Sequence, residues 1–165
     1  MKLIAEKLGK NDKLDRLRFV RADGSETQTV KPRQGTLPHD LVHFIVESAL
    51  PLKHGFLSLV AMGSSADFVM QVVHDPANQT IATEAVQAEA IVEALQTQLW
   101  AGSFDLGAFM DGATSASAAR GRTAFDFTGI DPQTTLYDCA LGLLERWVQV
   151  PYHQCLELSF VAGKV

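Results

Sequence analysis

"LDRLRFVRADGSETQTV", residues 14–30, decides the fold. Leu17 and Phe19 alternate with Arg16 and Arg18, the period of two that separates the faces of a strand. Asp23-Gly24 then interrupts the run, and "SETQTV" resumes it. Asp-Gly between two strand-like runs is a strong hairpin signal, because a type I′ turn needs φ > 0 at both central residues. Working outward, "KLIAEKL" at residues 2–8 alternates in part and is broken by "GKND". A three-stranded antiparallel meander is therefore expected within residues 1–33, ending near Val30. Pro32 has no N–H with which to extend the ladder. Near the other end, within residues 154–161, Leu156, Leu158 and Phe160 alternate with Glu157 and Ser159. A strand with no partner nearby in sequence is expected to join the N-terminal sheet.

Between these strands the pattern turns helical, over residues 37–100. Thr36 suits an N-cap and Pro38 a first turn, where a missing N–H costs nothing. That helix is expected to run to about Leu50 and stop at Pro51. "HGFLSLVAMG" reads as a short buried helix closed by Gly63. Ser65 suits the cap of a third helix over "ADFVMQVVH", whose branched residues also suit a strand, and Asp75-Pro76 breaks it. "TEAVQAEAIVEALQTQLWAG" is rich in helix formers and ends on Gly102. Residues 103–130 contain the low-complexity run "GATSASAARGR" and read as a mobile loop. A last helix is expected over 131–150, with Asp131 as cap, Pro132 at the first position and Leu136, Ala140, Leu143, Leu144 and Trp147 at core spacing. Trp100 and Trp147 both read as packing residues. The expectation is one α+β domain over 1–165: a meander plus a C-terminal strand, with four to five helices packed on the sheet.

Composition narrows function less. Apolar residues make up 47% of the 165 and charged residues 20%, enough for an ordinary core. No apolar run reaches the ~18 residues of a membrane span, and no secretory h-region is visible. Cys139 and Cys155 are the only cysteines, too few for a disulfide framework, so a reducing cytoplasm is expected. The net charge of -5 is unevenly spread. Residues 1–33 carry nine Lys or Arg against five acids, and the remainder carries five against fourteen. A basic sheet beside acidic helices accounts for this more simply than nucleic acid, since Phe19 is the only aromatic there and offers no stacking platform. Glycine-rich dinucleotide and phosphate loops are absent.

The chemistry is concentrated in "HDLVHFIVE", residues 39–47. At about 100° per residue, His39, Asp40, His43 and Glu47 share an arc about a quarter-turn wide. Imidazoles at i and i+4 can meet on one Zn²⁺. Glu47, one turn on, suits a third ligand or a hydrogen-bond acceptor, and Asp40 suits a base or an orienting group. His54 is positioned to reach back if the chain turns at Pro51. Glu89 and Glu93, a turn apart on a later helix, are further oxygen donors. Surface pairs along an amphipathic helix are the alternative.

The stripe resembles the HExxH helix of zincin metallopeptidases over five residues, with Asp40 where that family has its glutamate base. That resemblance implies zinc on His39 and His43 with Asp40 beside them. Asp is one methylene shorter, and the downstream third histidine of the metzincin pattern is absent. The His-Asp doublet is similar to that of HD-domain phosphohydrolases, whose all-helical fold and earlier histidine ligand do not match strands preceding His39. "RADGS", "HDLVHFIVE" and "GFLSLVAMG" together resemble a group of small uncharacterised bacterial proteins, which implies a fold unit and no chemistry. Two functions follow. One is a non-enzymatic interaction module meeting another protein or a second copy. The other is a metal-binding domain or metal-dependent hydrolase using His39, His43, Glu47 and Asp40, with zinc as the candidate cofactor.

Overall fold

The computed structural model describes residues 1–66, 68–69 and 79–161. Strands β1 (Lys2–Glu6), β2 (Leu14–Val20) and β3 (Glu26–Pro32) form the expected meander. Strand β4 (Cys155–Ser159) pairs antiparallel with β1, so the sheet order is β3-β2-β1-β4. Leu3 faces Phe19 on one side and Leu158 on the other, which fixes the register by one apolar row. Leu3, Ala5, Leu17, Phe19 and Leu158 are all buried on that face.

The hairpin turn differs from the expected type I′. Gly24 alone takes the left-handed conformation, at φ 84°, while Asp23 does not. The Gly24 N–H donates to Arg21 O (3.1 Å) and the Arg21 N–H to Ser25 O (2.9 Å). This is a three-residue connection in which a tight turn is followed by a glycine bulge, so only one residue bears φ > 0. The Asp23 carboxylate instead accepts from the Ser25 N–H and hydroxyl, the local bond that suits Asp to turns.

Among the described residues five helices follow: α1 (His39–Ala49), α2 (Phe56–Ala61), α3 (Gln79–Ala101), α4 (Leu106–Ala119) and α5 (Asp138–Gln149), the last led in by a π-helical turn at Gln133–Tyr137. The architecture is α+β. None of the described helices is long and apolar enough to cross a membrane. Pro38, not Thr36, occupies the N-cap of α1, and the Thr36 hydroxyl is buried without a partner. Leu37 is fully buried; its anchoring beside the helix start is consistent with Thr36 standing too early to cap it. The Ser65 hydroxyl does accept the Phe68 N–H (3.1 Å), but most of the third expected helix, and the Asp75-Pro76 break, lie outside the described residues.

The 103–130 segment is a correction. It is not a loop throughout, because α4 occupies its centre. Asp105 caps that helix by accepting the Ala108 N–H at 2.7 Å. Its small residues let it lie close on α3: a Cβ on Gly112 would stand only 3.5 Å from the Ala94 Cβ. Phe109 is fully buried and meets Phe127 edge-on, so the turn after α4 also feeds the core. Alanine and serine look featureless in sequence, yet they suit close helix packing. Trp100 is a second correction: it is 58% exposed, whereas Trp147 is buried as expected.

Helix α1 lies between the sheet and α3. Leu41, Val42, Ile45 and Val46 are buried in the one hydrophobic cluster that also holds the sheet's apolar row. Asp40, His43 and Glu47 are buried as well. The polar stripe of α1 is thus not a wet face.

Candidate metal centre

Two helices build the site. Helix α1 packs on α3, and Glu89 of α3 stands opposite the two histidines of α1. Glu89 Oε1 lies 3.3 Å from His39 Nε2, and Glu89 Oε2 lies 3.1 Å from His43 Nε2. One ligand atom from each of the three residues falls within 4.8 Å of the others. A tetrahedral ion with bonds of about 2.0–2.2 Å holds its donors about 3.3–3.5 Å apart. The spacing therefore fits a single ion after small side-chain movement. The imidazoles stand edge to face, their centroids 5.0 Å apart, as i, i+4 spacing on a helix dictates.

The other ring nitrogens are also engaged. His43 Nδ1 lies 3.1 Å from Glu47 Oε1. Glu47 is buried, and its oxygens accept the backbone N–H groups of Leu57 and Ser58, each at 3.0 Å. A Cβ on Gly55 would overlap this carboxylate, so glycine is needed there for close approach. His39 Nδ1 lies 3.2 Å from Gln96 Oε1, and Gln96 Nε2 donates to Gln34 Oε1 at 2.6 Å. Phe56 covers the His43 ring at a centroid distance of 5.3 Å.

Burial alone would disfavour a charged His43. Hydrogen bonds to Glu47 and then to Glu89 outweigh it and carry the imidazole up to about 10. Burial would likewise raise Glu89, but hydrogen bonds from His39 and His43 hold it well below the usual carboxylate range. The cluster strongly favours an ionised carboxylate against a cation, whether that cation is a shared proton or a metal.

His39 and His43 lie together, Glu47 takes the second of its two expected places, as the hydrogen-bond acceptor of His43, and Asp40 lies apart. Glu47 is not positioned as a ligand: it lies on the Nδ1 side of His43, with both oxygens committed to backbone N–H groups. Asp40 points elsewhere. It is buried with Oδ1 3.8 Å from Lys31 Nζ of β3, and its Oδ2 has no hydrogen-bond partner among the described residues. An arc a quarter-turn wide is enough to send Asp40 to the sheet, the two histidines to α3 and Glu47 to the start of α2. His54 does not reach back either; its Nδ1 lies 2.9 Å from Glu84. Of the two later donors, Glu89 joins the site, while Glu93 pairs with Arg120 at 2.6 Å.

Four of the nine N-terminal basic residues pair with acids of the sheet: Lys2 with Glu157, Arg16 with Glu6, Arg18 with Glu26 and Arg33, just past β3, with Asp15. Among the described residues, Lys31 is the one of them that reaches an acid on a helix. The expected attraction between a basic sheet and acidic helices is therefore mainly an attraction between neighbouring strands. Both cysteines are free and exposed. No family model, curated protein or solved structure matches this chain.

Proposed function

We propose that this chain is a divalent transition-metal-binding domain whose ligands are His39 Nε2, His43 Nε2 and the Glu89 carboxylate. The observation that carries this reading is the convergence of both Nε2 atoms on one partly exposed carboxylate across two packed helices. Three protein donors leave a position open, as in catalytic zinc sites rather than closed structural ones. Two imidazoles and one carboxylate also suit iron(II), so iron and manganese belong in the same test. Bound there, such an ion would supply Lewis acidity and activate water, which makes hydrolysis the first chemistry to screen. His39 and Glu89 are each about a quarter exposed and give access from solvent, while His43 is closed off beneath them.

Elemental analysis of the purified protein, beside Glu89→Gln and His39→Ala/His43→Ala, tests the reading. Near-stoichiometric metal in the parent and none in the variants supports it. No metal in the parent, even after incubation with Zn²⁺, overturns it.

A second reading is an interaction module that meets another protein or a second copy. What favours it is a shallow groove on α5 lined by Leu144, Glu145, Arg146, Val148 and Gln149, with Val148 61% exposed. The groove shares no residue with the histidine cluster. Light scattering and affinity capture test it; a strict monomer that retains no partner counts against it.

A further inference from the structure

We infer that Glu47 and Gln96 are positioning residues that lock both imidazoles in one orientation, with Nδ1 donating inward, so that Nε2 of each is the atom offered to a cation. This rests on the metal-binding reading above.

The inference follows from which atoms can only accept. Glu47 Oε1 already takes the Leu57 N–H and Oε2 takes the Ser58 N–H. With both oxygens turned to backbone N–H groups, the Glu47 carboxylate is placed as an acceptor, and in the His43 Nδ1 contact His43 donates. Gln96 spends its amide N–H on Gln34, which turns its oxygen to His39 Nδ1. An amide oxygen cannot donate, so His39 also donates from Nδ1. Once a metal ion displaces any proton at Nε2, each ring offers its lone pair there, and both Nε2 atoms face Glu89. Hydrogen bonds from the far ring nitrogen to a carboxylate or amide fix a ligand's tautomer and raise its basicity.

The two locks are unequal. Glu47 is a buried carboxyl tethered to the first residues of α2 by two backbone N–H groups, with Gly55 leaving room for it. Gln96 is neutral and held by one side chain. Glu47 should therefore matter more.

The test is Zn²⁺ affinity by competition with a chromophoric chelator, together with ¹⁵N spectra of the histidine side chains in the Zn²⁺-loaded protein. The parent should show both rings metallated at Nε2 and protonated at Nδ1. Glu47→Gln should weaken Zn²⁺ about 10–100-fold and blur the His43 pattern. Gln96→Ala should weaken it less and disturb only His39. Gly55→Ala, whose new methyl pushes the carboxylate off His43, should act in the same direction as Glu47→Gln and carries the test if the latter does not fold. A parent that binds Zn²⁺ while Glu47→Gln and Gly55→Ala keep its affinity and spectra would overturn the positioning role alone, even if both unfold at lower temperature. A parent that binds no Zn²⁺ would overturn the metal reading and this inference with it.

Discussion

The outer face of the sheet and the α1–α3 interface hold opposite charges at nearly the same distances. On the sheet, Arg16 meets Glu6 at 2.7 Å and Lys2 meets Glu157 at 2.9 Å. Between the helices, His43 meets Glu47 and Glu89 at 3.1 Å each. The distances alone would rank the sheet pairs first. Burial reverses the order. The Lys2 and Glu157 side chains are about half exposed, and water screens what they gain. His43 and Glu47 are shut away from solvent, and the His43 charge depends on its carboxylate partners. A short ion pair is therefore a weak guide to a functional site, and a buried one with a shifted ionisation is a better guide.

Removing one member of the buried set should produce the largest effect. Glu47→Ala leaves the Leu57 and Ser58 N–H groups and a buried imidazole without their acceptor. A loss of about 3–5 kcal/mol in urea unfolding is expected. A loss near that of a sheet pair would erase the contrast.

Ligand linkage comes next. Zn²⁺ at 100 times its dissociation constant should stabilise the parent by about 2.7 kcal/mol, read as a raised unfolding midpoint. Glu89→Gln should show no such rise, and neither the parent's nor the variant's sheet pairs should respond.

The pH dependence separates the regions further. His43 has its folded value raised from 6.5 to about 10. Its contribution to stability is then fully present below about pH 6.5 and is lost as pH rises through about 10. With chelator present, urea unfolding between pH 6.5 and 10 should show stability falling by at most about 1.4 kcal/mol per pH unit. Glu89 is shifted the other way, so its contribution is present above its unfolded value and lost on acidification. The arginine–carboxylate pairs of the sheet contain no histidine, and a His43→Phe variant should flatten the alkaline slope.

The smallest effect is expected on the sheet. Arg16→Ala should change stability by no more than about 1 kcal/mol, and the difference should shrink further in high salt.

Much of this was legible in the sequence, for local physical reasons. Period-two alternation at Leu17 and Phe19, and again at Leu156, Leu158 and Phe160, identified strands that a one-residue slip would turn inside out. Four-residue spacing put His39 and His43 on one side of α1 whatever surrounds that helix. Helix α4 was hidden because alanine and serine carry no amphipathic signal, and its cap, Asp105, is visible only to a reader who already expects a helix there.

The sequence by itself determined the strands, helices α1 and α3 and the histidine pair, since each depends on the angle between residues along one element. Only the tertiary structure decided which carboxylate faces the histidines. Glu47 and Asp40 share their helix, and Glu89 and Glu93 share another, so spacing ranks none of them. The choice was made where helices meet: α3 presents Glu89 to α1 while Arg120, just past α4, draws Glu93 away. The amides at the start of α2 hold Glu47 behind His43. Periodicity fixes a direction around one axis, and only packing fixes what stands in that direction.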